Sequence, residues 1–246
     1  MTDVAGPFAL AMNAADIADA TRSILEDVLP NAPRSNLPAW LAGLIWRREW
    51  GSIELLRFQW RKRHFFMERH LDSLIVRRLC NDPRLRQQLA AQLGDDLVLW
   101  RSEIWLSRPD ECLIPAWHHD AYPLLLRGEG RTINAYIALT EVEAENGFEY
   151  LPESLHAGTP LERINVDRYS GNAFLRVPAA LEESAVPIRL GAGEFVLFSD
   201  DLIHRSVRNT SGRTRLSLSL RVATPSLYRR YPRRRFAVIP GQDLVV

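Results

Sequence analysis

The chain has 246 residues, 46% hydrophobic and 25% charged, with a net charge near +1; this is enough chain for one large core and an ordinary balance for a globular protein. A charge this close to neutral, with no basic stripe interleaved with aromatics through the body, argues against a nucleic-acid partner, and no apolar run reaches membrane-spanning length. Two cysteines, Cys80 and Cys112, make no disulfide framework, and the first residues lack a basic stretch followed by an apolar one, so a cytoplasmic setting is expected.

Ile17, Ala20, Ile24 and Val28 recur at helical spacing and predict a helix over 12–29, which the stretch from Pro30 to Pro38 breaks. A second helical block is expected from about Trp40 to Cys80. Its apolar centre would be Leu55, Phe58, Phe65, Phe66, Leu71, Leu74 and Ile75, packed on a sheet, with the interleaved arginines solvated. Asn81-Asp82-Pro83 caps a short helix that ends at Gly94. From Leu97 the pattern changes to strands, at 97–107, 113–120, 131–140, 147–151, 172–177, 186–190, 194–199, 203–208 and 214–222. Asn146-Gly147 reads as a turn in which glycine permits positive φ, and 157–171 as a loop beside a barrel mouth. The expected fold is mainly β with a helical buttress: a double-stranded β-helix (jelly roll, cupin-like) over 96–246 behind a helical part over 1–95, together a single domain over 1–246.

The chemistry concentrates in His118, Asp120 and His204. His-x-Asp followed much later by a third histidine is the spacing of two imidazoles and one carboxylate on one face of an octahedral metal. That set suits non-haem Fe(II), because three positions stay open for a co-substrate and O2. On a strand His118 and Asp120 point to one side and His119 to the other. In 214–222, Leu216, Leu218 and Leu220 share one face, and Arg215, Ser217, Ser219 and Arg221 share the other. Such alternation marks a half-buried strand with one polar face. An arginine on that face, near a metal, can hold a dicarboxylate through its planar fork.

Three stretches, Trp117-His118-His119-Asp120, Asn146 through His156, and His204-x-Ser206 through Arg215, resemble the phytanoyl-CoA dioxygenase-like group of Fe(II)/2-oxoglutarate oxygenases over about residues 97–222. Each motif is weak alone; their combination is specific. The resemblance implies Fe(II) on His118, Asp120 and His204, with 2-oxoglutarate and O2 as co-substrates. It places Arg215 on the far carboxylate of 2-oxoglutarate, with the Ser206 hydroxyl beside it. Tyr136 stands where this group often carries tryptophan near the site, so a cofactor contact and core packing are both open for it. Related halogenases have Gly or Ala in place of the carboxylate. With Asp120 present, hydroxylation of an unactivated C–H in a small polar metabolite, an amino acid or natural-product intermediate, is expected. Desaturation or cyclisation on the same scaffold, or a non-catalytic jelly-roll binding protein, are the alternatives.

The substrate is less legible. Alternation in 97–105 puts Arg101, Glu103 and Trp105 on one face, and Arg221 shares the face of Arg215. These charges either receive a zwitterionic ligand or form a mutual salt bridge. His156 lines the entrance or is a plain loop histidine. The basic run from Tyr228 to Arg235 is either a solvated segment or a contact for a carrier-linked substrate. Oligomeric state is left open.

Overall fold

The computed structural model describes residues 3–32, 38, 41, 45, 67–124, 126, 128–158, 160–164, 166 and 171–228. Along the chain run β1 (Val4–Ala9), α1 (Ala14–Ser23), α2 (Leu74–Cys80), α3 (Pro83–Leu93), β2 (Val98–Ser107), β3 (Thr132–Ala138) and β4 (Phe148–Tyr150). Then follow α4 (Glu153–His156), β5 (Glu162–Ile164), β6 (Phe174–Arg176), α5 (Ala179–Glu182), β7 (Val186–Pro187), β8 (Glu194–Ser199), β9 (His204–Ser206), β10 (Arg215–Ala223) and α6 (Pro225–Tyr228).

The strands form a major sheet in the order β1-β8-β3-β10-β2 and a minor layer of β7-β4-β9 and β5-β6. His118 joins the two pieces of the minor layer, bridging His204 of β9 on one side and Phe174 of β6 on the other. The double-sheeted jelly roll expected from the strand pattern is what the chain forms. Leu216, Leu218 and Leu220 of β10 sit with Ile133, Ala135 and Ile137 of β3 and Phe195 of β8 on the outer face of the major sheet. Ile17, Ala20, Val76, Leu79, Leu85 and Leu89 of α1, α2 and α3 cover that face. Each leucine buried there contributes about 1.5–3 kcal/mol relative to exposure. Its other face looks inward, between the layers.

Local signals account for most element boundaries. Asn13 caps α1 by accepting from the Asp16 amide, and a π-helical turn over Ile24–Val28 continues the helix, so the predicted 12–29 segment is helical nearly throughout. Asp82 caps α3, Pro83 stands at its start, and Gly94 ends it at φ +89°. Asn209 anchors the turn before β10, donating to Ser107 O and Arg213 O, and Gly212 supplies the positive φ of +71° that the turn requires.

Several expectations are corrected. β1 was not foreseen; a six-residue piece with one pair of alternating apolar residues carries little signal until β8 pairs with it. The core positions Leu55, Phe58, Phe65 and Phe66 of the expected 40–80 helix lie outside the described residues. Its described end is a bridge at Met67, a 3-10 turn over Arg69–Leu71 and then α2. Leu74, placed in the core by periodicity, is 80% exposed, because α2 begins there and turns Val76, Leu79 and Cys80 inward instead. Residues 113–120 form no strand apart from the two bridges of His118. The loop expected at 157–171 contains β5, paired with β6. Asn146-Gly147 does turn, but Gly147 has ordinary φ. It is glycine because a Cβ would meet Val142 Cγ1 at 2.7 Å and Glu143 O at 2.9 Å. Finally, β10 is buried on both faces: its polar face is interior wall, not solvated surface.

Candidate metal centre

His118, Asp120 and His204 meet between the two layers, one ligand atom from each lying within 4.8 Å of the others. The bridge between His118 and His204 sets this: amide and carbonyl of each residue exchange hydrogen bonds of 2.9 and 3.0 Å. Both rings are fixed the same way. His118 Nδ1 donates to Ala116 O at 3.0 Å and His204 Nδ1 to Leu202 O at 2.9 Å. A proton held on Nδ1 leaves the Nε2 lone pair of each ring free for a metal, the usual orienting device of ligating histidines. Phe148 and Phe198 pack edge-on against His204, and Phe174 against His118. Burial, and next the neighbouring His204, push the His118 imidazole down to about 3, so it stays neutral and able to ligate.

Burial alone would raise the Asp120 carboxyl, but Arg221 at 2.8 Å outweighs it, with the two histidines, and holds it well below the ordinary carboxylate range. Asn134 Nδ2 and the Tyr122 hydroxyl also donate to this carboxylate, at 3.0 and 3.3 Å. Two imidazole nitrogens and one ionised oxygen within one small space fit a divalent first-row metal. His119 faces the other way, into a cleft of about 490 Å³ that Arg131, Arg163, Asp200 and Asp201 also line; none of the three ligand side chains lines it. On β9 the intervening Arg205 likewise faces outward, paired with Glu149 and Glu182 and stacked on Trp117, which ties the strand of His204 to β4 and α5.

Arg215 opens β10 on the interior face and is 3% exposed. One arm donates to the Tyr136 hydroxyl, its Nε is buried without a partner, and among the described residues no carboxylate pairs with it. The Ser217 hydroxyl, two residues along the same face, is also buried and unpartnered. A buried guanidinium with no counter-charge is costly. The carboxylate of a bound co-substrate would remove that cost, so this buried guanidinium fits a carboxylate such as that of 2-oxoglutarate. Ser206 lies on the His204 side of β9, its carbonyl accepting from the Cys112 thiol.

Of the substrate candidates, Arg101, Glu103 and Arg221 are brought together and pair in charge, with only the Nε atoms of the two arginines left unpartnered among the described residues: Glu103 accepts from Arg101 with one oxygen and from Arg221 with the other. The mutual salt bridge, rather than a set of charges waiting for a zwitterion, is what the chain contains. His156 closes α4; its side chain lies outside the described residues, as does the basic run beyond Tyr228. Asn134 and Tyr122 were missed. Asn134 shares the parity of Tyr136 on β3, which was the available signal. Tyr122 had none, because it lies in irregular chain.

The model of the phytanoyl-CoA dioxygenase family matches residues 41–217. The chain belongs to that family. It is an oxygenase of the iron- and 2-oxoglutarate-dependent class. The chain is similar to the solved structure of the apo non-haem monooxygenase ThoJ, at 20% identity and TM-score 0.62, covering 99% of this chain and 82% of that one. It is similar also to the epimerase SnoN in complex with Fe3+, alpha-ketoglutarate and nogalamycin RO, at 18% identity and TM-score 0.61, covering 98% and 90%. A third is CytC3 with Fe(II) and alpha-ketoglutarate, at 18% identity and TM-score 0.57, covering 98% and 76%. At such identities the likeness is one of fold. No curated protein matches. Among the described residues no helix is long and apolar enough to cross a membrane.

Proposed function

We propose that this family member hydroxylates an unactivated C–H bond of a small polar metabolite, with His118, Asp120 and His204 holding Fe(II). Iron bound there supplies the activation of O2 that is coupled to conversion of 2-oxoglutarate to succinate and CO2. The observation that carries the reading is Asp120: a third protein ligand, ionised and held by three donors, where a chloride-transferring relative would leave the position vacant. Arg215, with the Tyr136 hydroxyl on one arm and its Nε open, takes the far carboxylate of 2-oxoglutarate, and Ser206 adds a hydroxyl. The aromatic rings packed on His118 and His204 exclude water from the ligand side, which strengthens each charge contact inside. The relatives SnoN and CytC3, solved with iron and alpha-ketoglutarate, support the same pair of cofactors here. Because Arg101 and Arg221 are paired with Glu103 and Asp120, two charges against two, substrate recognition does not draw on them; it falls to the mouth of the barrel.

The test is anaerobic loading with Fe(II) and 2-oxoglutarate, then exposure to 18O2 with a panel of amino acids and carrier-linked acids. Succinate and a substrate product heavier by one labelled oxygen are expected. Succinate formed with a product lighter by two hydrogens, or of unchanged mass and inverted configuration, would replace hydroxylation by desaturation or epimerisation. No succinate under any condition would leave a binding protein.

A further inference from the structure

The two oxygens of Asp120 are held unequally. Oδ1 accepts from Arg221 Nη2 at 2.8 Å and from the Tyr122 hydroxyl at 3.3 Å. Among the described residues Oδ2 accepts only from Asn134, and it is the oxygen 3.9 Å from His204 Nε2. Arg221 reaches Asp120 with one arm and Glu103 with the other, and both of those side chains are almost fully buried. Strand register builds the arrangement: Arg221 stands between Arg101 of β2 and Asn134 of β3, and Glu103 stands one row along.

We propose that Arg221, backed by Glu103, is a positioning residue that occupies Oδ1 of Asp120 so that the carboxylate meets the metal through Oδ2 alone. The inference rests on Asp120 being a metal ligand, as proposed above. A carboxylate free to turn can offer both oxygens to a divalent cation. In a three-ligand octahedral site that second oxygen would take one of the positions needed by co-substrate and O2. Arginine suits the task and lysine does not, because a planar fork reaches two carboxylates at once in a fixed plane. Glu103 has its own part. A lone guanidinium this near the metal position would repel the cation, and the Glu103 charge offsets it. This also explains why the charges of Glu103 and Arg221 face each other between β2 and β10 without serving a ligand.

The experiment titrates metal-free protein with Co(II), without 2-oxoglutarate, and follows affinity together with the visible d–d band, which reports coordination geometry. Arg221→Lys keeps the charge but loses the second arm. It is expected to bind Co(II) about tenfold more weakly or worse, the usual cost of losing an orienting partner of a ligand, and to shift the band. Glu103→Gln/Arg221→Leu removes both charges while keeping an amide oxygen for Arg101 to donate to, and is expected to show the same altered band. Wild-type affinity and band in either variant, with an intact melting transition, would overturn the proposal. Failure of both variants to fold would overturn it too, since Arg221 would then serve the core instead of the metal. Asp120→Ala separates ligation from positioning. If it binds Co(II) as tightly as the wild type, the ligand assignment itself fails; if it loses Co(II) while Arg221→Lys is unchanged, only the positioning role fails.

Discussion

A guanidinium taken out of water without an anion beside it costs several kcal/mol, and among the described residues Arg215 is in that position, with the neutral Tyr136 hydroxyl on one arm and Nε unpartnered. The proposed use of that unspent charge is the 2-oxoglutarate carboxylate. Truncating one partner of a buried charge pair costs roughly 2–5 kcal/mol, so Arg215→Leu should raise the Michaelis constant for 2-oxoglutarate by tens-fold or more. Co(II) affinity should stay unchanged, because Arg215 touches none of the three candidate ligands. Succinate formation against 2-oxoglutarate concentration checks this, and an unchanged constant would move the role to another residue. His118, Asp120, His204 and Arg215 could be picked out of the sequence because ligating and gripping side chains come from few residue types at recognisable spacings. Asn134 and Tyr122 could not. An asparagine and a tyrosine are ordinary in any strand or loop, and only the fold brings them to Asp120.

At the scale of elements, period-two alternation located β10 and the sides of its residues correctly, since every leucine of 216–220 packs outward. Alternation cannot tell a wet polar face from a dry one, which is why β10 was expected to be half-buried. Nor can it show the register break beside Arg221, where Arg221 pairs with Arg101 but Val222 pairs with Leu99. The skipped residue, Trp100, is the extra one of a bulge that re-aims the β2 side chains at this end. Among the helices, Asp82 joins two pieces of chain. It caps α3 through the Arg84 and Leu85 amides at 2.9 and 3.2 Å, and also accepts from the Ala11 and Met12 amides beyond β1. Asp82→Ala strips the cap and leaves the buried Leu85 amide and three part-buried amides without their acceptor, so a loss of about 2–4 kcal/mol is expected. The urea midpoint should fall with an unchanged slope, and Asp82→Asn should recover part of it.

For the whole molecule, buried histidines make stability depend on pH. Burial, then the charges of Arg77 and Arg69, lower His70 to about 4, and it sits 2.6 Å from Ser102 Oγ. Between that value and 6.5 the unfolded chain binds a proton that the folded protein does not, so stability falls as pH drops through this window. Neutral His118 acts in the same direction in metal-free protein. Asp200, raised to about 6 by burial and by Asp201, opposes them, because its folded form gains the proton first. Two buried imidazoles outweigh one partly buried carboxyl, so metal-free protein should melt lower at pH 5 than at pH 7.5. His70→Gln should remove on the order of 1–2 kcal/mol of that pH dependence. A melting temperature that rises on acidification would show the histidines to be solvated.

What the sequence determined by itself is the class of fold, the oxygenase class and a short list of chemically competent residues. Strand periodicity, the capping of α3 at Asp82 and Gly94, and the His-x-Asp and histidine–arginine spacings are all local, and local spacing is legible in one dimension. Tertiary structure alone decided what surrounds those residues. It placed residues 113–120 as irregular chain, holding His118 between β9 and β6 by its bridges. It also closed the charges of Arg101, Glu103 and Arg221 on one another and on Asp120. Pairing between residues more than a hundred positions apart depends on register and on the second layer of the barrel. A charged residue facing inward reads the same in sequence whether its partner is a ligand or another strand.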